Sequence, residues 1–381
     1  MSLAPIPIYQ DQDFYVPQFE IKVGERPLNR DVVHDITAVT YKDDLRDVDS
    51  FEITINNWDA DTRRFKYSDD HLFDPGKKLE VWMGYRGRDQ LRLMLTGEIT
   101  SLRPTFPSDG RPTLAISGLN LLHHFRREQR SHAYRKQTDS RIAREIAARV
   151  GADIHTDPEA ERREEEHRFL FQDNQFDILF LMERARHLGY DLFVEEVGEN
   201  GRADKSRLYF GPSQNVHRTT YRLEYGKSLA EFQPNLTTAN QVGEVTVHAW
   251  DPIAKRPITA TAKRNQTGIR DVGAADGQGG IGQAFNERHE VIADETVDTQ
   301  REAETLAEQT LARIAKDIIK ASGSTVGLPD LRAGSVMHID GLGSRFRGAY
   351  FITSTTHTIG DGGYTTRFDC RREEPESGRR P

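Results

Sequence analysis

Two glycine-containing segments come closest to known phosphate-binding motifs. Residues 277–282 read G-x-G-x-x-G, a motif that holds a pyrophosphate on the N–H groups of a helix N terminus. The motif works only between a strand and a helix. The residues on either side of this copy predict neither, so we interpret it as a loop. Residues 226–228 read Gly-Lys-Ser, the end of a phosphate loop, but the first glycine of that loop would fall at Tyr221. We therefore predict a turn there and no cofactor-binding residue in the chain.

Candidate metal ligands and nucleophiles are scattered along the chain. It has 13 histidines and one cysteine, Cys370. His123 and His124 are adjacent and point in different directions on a helix or a strand. His167 lacks the second histidine that a zincin helix requires. Cys370 lies in a strand-like run and is expected to be a buried or edge thiol. We predict no metal site.

Carboxylates are so frequent, at 60 Asp and Glu residues, that pairs of them say little about catalysis. Glycoside hydrolysis needs one carboxyl with a raised pKa held at a set distance from another, and no local context singles out such a pair. Residues 159–166 mix charges of both signs at helical spacing, which predicts a solvated helix face. The sequence predicts no catalytic residue, and therefore a protein that is not an enzyme.

Composition sets the broad class. The 381 residues are enough for two or three domains, and 29% charged with 36% hydrophobic residues is typical of a folded, rather polar protein. A net charge of −8 does not favour nucleic-acid binding. No apolar run reaches the ~18–20 residues of a membrane span. The first eight residues lack the layout of a signal peptide, so we expect synthesis in the cytoplasm.

The elements that would position any site are clearest in residues 328–368. Short runs of alternating β-branched and aromatic residues stand between glycine-containing turns, a pattern typical of an antiparallel meander. Gly334 precedes the first strand and Gly348 the second, which contains Tyr350. Tyr364 opens the third. We take these four residues as a structural signature of turns and strands.

The N-terminal third contains a loose copy of this meander. Pro75 and Gly76 precede a strand as Ala333 and Gly334 do, and the run around Gly97 parallels residues 347–354. A further strand at residues 112–117 parallels residues 364–368. Two related β units in one chain indicate an internal duplication. Pro75, Gly76 and Gly97 complete the signature.

Between these units the periodicity changes. Residues 138–150 and 173–188 predict helices, the first after a cap at Thr138 and the second after Asp173 and Asn174. Residues 298–320 predict the longest helix. The fold class is α+β and mainly β, with two tube-like antiparallel β-barrels, a small α/β domain and a helical and loop insertion. The predicted boundaries are 1–125 for the first barrel, 126–212 for the α/β domain, 213–252 with 321–370 for the second barrel, 253–320 for a Gly-rich loop and long helix, and 371–381 for a disordered tail.

These pieces, in this order, resemble the baseplate hub family of contractile tails. The family includes phage late control gene D proteins and the hub portion of VgrG spikes. The resemblance is carried by residues 49–55, 73–81, 96–99, 172–190, 247–252 and 331–368. It implies a homotrimeric ring of pseudo-six-fold symmetry that joins a hexameric tail tube protein to a trimeric spike protein and contacts other baseplate proteins. Unlike fused VgrG proteins, the chain shows no β-helical spike or lysozyme-like segment after Phe368.

The resemblance thus implies a structural hub, assembled into a phage tail or another contractile injection particle. Two alternatives remain open from the residues. One is a tail-associated cell-wall hydrolase with its carboxylates in the α/β domain. The other is a carbohydrate-binding or tail-tip β module.

Overall fold

The computed structural model describes residues 6–7, 16–86, 91–197, 205–212, 221–251, 254–264, 284–293, 295, 297 and 299–372. The G-x-G-x-x-G segment at 277–282 and residues 373–381 of the predicted tail lie outside these ranges. No helix in the described part of the chain is long and apolar enough to cross a membrane.

The N-terminal part consists of strands with one short helix, because its residues alternate between apolar and polar. In β5 and β10, for example, every second side chain is buried. The elements are β1 (Ile6–Pro7), β2 (Pro17–Val23), β3 (Arg26–Pro27), α1 (Arg30–Asp35), β4 (Ile36–Asp44), β5 (Ser50–Asn56), β6 (Trp58–Asp59), β7 (Arg64–Phe65), β8 (Lys78–Tyr85), β9 (Arg92–Thr105) and β10 (Thr113–Asn120). A 3-10 helix at His71–Phe73 precedes β8, and another at Leu121–Arg126 ends this part.

An α/β segment follows. Its elements are β11 (Gln129–Tyr134), α2 (Asp139–Val150), β12 (Ile154–Thr156), α3 (Pro158–Glu161), β13 (Leu170–Phe176), α4 (Asp177–Leu188), β14 (Asp191–Val197) and β15 (Lys205–Gly211). Thr138 caps α2 as predicted, and Gly151 ends it in the left-handed region at φ 73°. The predicted cap of α4 is wrong. Asp173 and Asn174 lie in β13, and the helix begins after Phe176 without a side-chain cap.

The C-terminal part returns to strands around one long helix. Its elements are β16 (Tyr221–Glu224), β17 (Leu229–Leu236), β18 (Glu244–Asp251), β19 (Arg256–Lys263), β20 (His289–Ile292), α5 (Gln300–Lys316), β21 (Ile319–Val326), β22 (Val336–Asp340), α6 (Gly343–Phe346), β23 (Gly348–Gly360) and β24 (Gly363–Arg372). Strand β24 therefore includes Arg371 and Arg372, which were predicted to belong to the tail.

The structure differs from the expected organisation around β18. This strand was placed with the second barrel, and residues 253–296 were expected to form a loop. Instead, β18 pairs with β19 and β20 in a separate three-stranded sheet. Val245 and Val247 pack with Ala303 and Leu311 of α5 in a core of their own. Alternation identifies a strand but does not name its partner.

Helix α5 is shorter than the predicted 298–320. It starts with a capping box between Thr299 and Glu302 and ends at Lys316. Ile318 follows the helix and packs in the core of the neighbouring large sheet. The apolar spacing in the sequence therefore continues past the end of the helix, because the next strand is also buried, and this made the predicted helix too long.

The large sheet has 14 strands and contains two six-stranded units. Unit 1 has the order β4-β5-β10-β9-β8-β2, and unit 2 has the order β17-β21-β24-β23-β22-β16. Equivalent strand pairs of the two units are antiparallel in both, with one exception. The last pair is antiparallel in unit 1 (β2–β8) and parallel in unit 2 (β16–β22). The predicted α+β, mainly β fold class is confirmed, and the predicted duplication matches the strand order of the two units.

The hairpin β23–β24 connects the two units. Near its base, Tyr350 and Phe368 pack in the core of unit 2. At its tip, Ile359 and Tyr364 pack in the core of unit 1. One long hairpin therefore contributes to both hydrophobic cores and fixes the units to each other.

Candidate assembly site

The predicted turn at Pro75 and Gly76 anchors the start of β8. Gly76 has φ +91°, a value that favours glycine. Its N–H donates to the Ile99 carbonyl at 2.8 Å, and the Ile99 N–H donates to the Lys77 carbonyl at 2.9 Å. The turn thus fixes the middle of β9.

The same arrangement recurs at Gly334, which has φ +83°. Its N–H donates to the Ile352 carbonyl at 2.9 Å, and the Ile352 N–H donates to the Ser335 carbonyl at 2.9 Å. Ile99 and Ile352 each begin an Ile-Thr-Ser sequence. Gly76 and Gly334 are therefore equivalent positions in the two units.

The other signature residues are distributed over both units. A Cβ at Gly97 would lie 2.4 Å from the Leu119 carbonyl oxygen, so β9 and β10 need a glycine there. Gly348, at φ +137°, opens β23. Tyr350 is fully buried, and its hydroxyl donates to the Phe346 carbonyl at 2.6 Å. Tyr364 is buried in unit 1. The seven residues thus mark the framework of two units and do not meet in one site.

The two units are joined along one pair of strands. Residues 39–44 of β4 run antiparallel to residues 354–359 of β23. We call this contact the junction. It is the only place where the sheet path among the described strands passes from unit 2 to unit 1.

A buried ion pair stabilises the junction. Arg332, before β22, donates through Nε to the Asp43 carboxylate at 2.8 Å, and the Ala333 N–H donates to the same oxygen at 3.0 Å. The guanidinium also donates to the Met94 carbonyl at 2.7 Å and to the Tyr41 hydroxyl. The side chains of Arg332 and Asp43 are 12% and 4% exposed. Because moving either charge away would leave the other buried and unpaired, the two side chains hold a fixed geometry.

His357 lies at the centre of the junction and is fully buried. Its Nε2 donates to the Leu331 carbonyl at 3.0 Å, and its Nδ1 accepts from the hydroxyls of Tyr364 (3.0 Å) and Thr366 (3.1 Å). Burial, with the nearby Arg332 charge, lowers the pKa of His357 to about 3. The ring is therefore neutral at physiological pH and serves as a packed structural group.

Asp49 is a second buried carboxyl beside the junction. Burial, followed by the neighbouring Asp43 charge, raises its pKa well above the usual value. Its oxygens accept hydrogen bonds from the Asn120 amide at 2.6 Å and the Asp44 N–H at 3.1 Å. These contacts hold β4, β5 and β10 together, which gives the carboxyl a structural explanation.

A charged network that the sequence did not reveal lies in the α/β segment. Asp139 of α2 accepts from Arg184 Nε of α4 at 2.7 Å and from His167 Nε2 at 2.8 Å. Nδ1 of His167 faces Glu302 of α5 at 3.2 Å. Burial lowers the pKa of His167, but Asp139 and Glu302 outweigh this effect and raise it to about 9. His167 is thus a cation that joins three helices.

The predicted solvated helix at 159–166 is wrong for most of its length. Helix α3 ends at Glu161. The Glu164 carboxylate turns inward and accepts from the Ser140 N–H at 2.8 Å. Burial raises its pKa. A run of alternating charges is typical of a solvated helix face. Here, however, Glu164 caps the neighbouring helix α2, and its burial depends on contacts that are distant in sequence.

Glu183, His187 and Glu295 bring donor atoms together within 4.8 Å, the usual beginning of a metal site. However, Arg184 donates to Nδ1 of His187 at 3.0 Å, so Nε2 carries the proton and donates to Glu295 at 3.0 Å. Burial, together with the Arg184 charge, lowers the pKa of His187. Neither ring nitrogen offers a lone pair to a cation, and we assign no metal to this cluster.

Two sequence interpretations are confirmed. Residues 226–228 form a turn between β16 and β17, in which Lys227 pairs with Glu224 at 2.9 Å. Cys370 is a buried thiol in β24, and burial raises its pKa.

With this architecture established, comparison with known proteins identifies the family. The model of the Alg8 N-terminal domain matches residues 15–361. The chain belongs to the Alg8 N-terminal domain family. No curated protein matches it in sequence.

Solved structures share the fold of this family member at low sequence identity. The 43 kDa tail protein of prophage MuSo2 from Shewanella oneidensis is 13% identical, with a TM-score of 0.70 over 93% of this chain and 98% of that one. A tail protein from Neisseria meningitidis MC58 is 14% identical, with a TM-score of 0.65 over 94% and 97%. The E. coli c3393 protein, a type VI secretion component similar to the T4 tail proteins gp27 and gp5, is 12% identical, with a TM-score of 0.58 over 95% and 79%. The predicted tail-protein fold is confirmed, whereas the narrower hub identity stays a prediction.

Proposed function

We propose that the protein is a structural baseplate hub of a contractile tail or related injection particle. The observation that carries this proposal is the pair of equivalent units joined edge to edge within one chain. A protein with two similar units per chain presents twice as many similar surfaces as it has subunits. Three chains in a ring then present six.

Symmetry explains the use of such a ring. Head-to-tail contacts close into a ring when the rotation between neighbours completes a circle. Six similar units match a hexameric tail tube on one side, while three identical chains match a trimeric spike on the other. Closing the ring also protects sheet edges that would otherwise invite aggregation.

The comparisons support this proposal at the level of the fold. The Shewanella and Neisseria structures are described as tail proteins, and the E. coli structure as a type VI secretion component. A structural role, without catalysis, agrees with a junction in which Asp43, Arg332 and His357 are buried and hydrogen-bonded.

Quantitative analysis of particles from the cell that encodes the protein tests the proposal. The chain is tagged, the particles are sedimented, and the tag is located by immunogold labelling. We expect three copies per particle, at the spike end of the tube. Absence from purified particles, or a stoichiometry that follows tube length, would contradict the proposal. Clearing of a peptidoglycan zymogram by the purified chain would support the hydrolase alternative instead.

A further inference from the structure

We propose that the ring closes by antiparallel pairing of residues 101–106, the end of β9 and the residue after it, with β17 of a second copy of this chain. The pairing rests on the proposed ring and names the edges that form it. It repeats between chains the junction that β4 and β23 form within one chain.

The strands on either side of the junction correspond residue by residue to their counterparts in the other unit, including their register shifts. Strand β4 has a register shift between Ile36 and Ala38 against β5, and β17 has one between Leu229 and Glu231 against β21. Strand β23 has a shift between Ile352 and Ser354 against β24. The matching shift in β9 lies between Ile99 and Ser101 against β10, so that Thr100 in unit 1 and Thr353 in unit 2 are both the extra residue of an Ile-Thr-Ser sequence. Bulges at matching places fix the alignment of the units to a single residue.

This alignment identifies the unmatched edges. In the junction, the β23 edge after Ile-Thr-Ser pairs with β4. Its counterpart in unit 1 is the β9 edge after the first Ile-Thr-Ser. Among the described strands, residues 101–105 pair with β10 on one side alone, and β17 pairs with β21 alone. One chain therefore carries both strand edges that a second junction needs, the end of β9 and β17.

The register follows from the junction. There, Thr355, His357 and Ile359 lie opposite Asp43, Tyr41 and Val39. Transferring these pairs places Leu102 opposite Leu236, Pro104 opposite Pro234, and Phe106 opposite Phe232. We therefore expect two apolar pairs on either side of one proline pair.

The apolar side chains at both edges are incompletely covered. Phe106 is 58% exposed, and its ring contacts Phe65 edge-on with the ring centroids 5.0 Å apart. Leu102 packs partly against the core of unit 1, while Phe232 and Leu236 pack partly against the core of unit 2. Joining the edges would cover these side chains, as the pairing of β4 with β23 buries Val39 and Ile359 together in the core of unit 1.

Pro104 and Pro234 interrupt the proposed ladder near its centre. Proline cannot donate to a ladder and is placed on edge strands with its nitrogen facing outward. Proline opposite proline leaves no N–H group without an acceptor, although the ladder is interrupted at that step. An edge strand that carries proline is also a poor partner for unrelated strands. The hydrogen bonds of the proposed pairing therefore come from the residues on either side of the proline pair.

Disulfide trapping tests the register. The Leu45 N–H donates to the Thr353 carbonyl, so the alternation makes Thr356–Lys42 a non-hydrogen-bonded pair, and Arg103–Asn235 is its counterpart. Such pairs have Cα atoms about 4.5 Å apart, within disulfide range. The test variant is Arg103→Cys with Asn235→Cys. The control is Thr105→Cys with Asn235→Cys, two residues out of register. All three side chains are exposed, and the native Cys370 is buried.

After oxidation, we expect about tenfold more disulfide-linked chain from the test variant than from the control, ending at three chains in denaturing gels. A native trimer without this disulfide, or with equal linkage in both variants, would overturn the pairing and leave the hub proposal standing. A monomer without disulfide at any concentration would overturn both.

Discussion

Replacing Asp43 by leucine should loosen the junction between the two units. The substitution removes the carboxylate that accepts from Arg332 at 2.8 Å and from the Ala333 N–H at 3.0 Å. The Arg332 side chain, only 12% exposed, then keeps its charge without its anion. Breaking a buried ion pair in this way costs about 3–5 kcal/mol.

The double variant Asp43→Leu with Arg332→Met separates this effect from lost packing. Replacing both members of a buried pair by apolar residues is often neutral. We therefore expect the double variant to be at least as stable as Asp43→Leu alone. The matched control is Glu52→Ala, which breaks the exposed Arg103–Glu52 pair, where the side chains are 68% and 43% exposed. Such surface pairs contribute about 0–1 kcal/mol.

Amide hydrogen exchange is the appropriate assay, because a chain with several cores does not unfold in one step. A loss of 3 kcal/mol or more speeds exchange by about 100-fold or more. In Asp43→Leu we expect this increase in β4 and β23, with β14 and β15 unchanged as the internal reference. Acceleration of less than about fivefold in β4 and β23, or an equal change in β14 and β15, would refute the reasoning.

Three further predictions concern single residues. Gly97→Ala should destabilise the protein by about 1–3 kcal/mol because the new methyl group meets the Leu119 carbonyl, whereas Gly362→Ala, in open space, should not; thermal denaturation of both variants checks this. His357 has a folded pKa of about 3, below the ~6.5 of an unfolded histidine, so its contribution to stability is complete above pH 6.5 and is lost as the pH falls toward 3. The thermal midpoint should therefore drop less between pH 7 and pH 4.5 in His357→Gln than in the native chain, and an equal drop would contradict the assignment. The buried Cys370 should resist thiol reagents in the native protein and react fully in denaturant, and rapid native labelling would show that β24 opens.

Local patterns were sufficient for several of the elements and for the duplication. Thr138 and Gly151 bound a helix because capping and the left-handed turn are properties of a few neighbouring residues. Gly76 and Gly334 marked equivalent turns for the same reason. The repeated Ile-Thr-Ser sequence occupies equivalent positions in the structure and so aligns the two units.

Contacts between distant segments were not predictable in the same way. Nothing near His167 indicates that Asp139 and Glu302 surround it, since the three residues meet only when the helices pack. Strand β18 alternates like a barrel strand but pairs elsewhere. Asp43 and Arg332 lie far apart in sequence, and their ion pair follows from the junction itself.

The most direct test of the ring is the native mass of the purified chain by light scattering, with end-on electron-microscope averages of the same peak. The account predicts three copies around a central hole, with six lobes of alternating shape. A stable ring with another number of copies, or a compact monomer at every concentration, would contradict it.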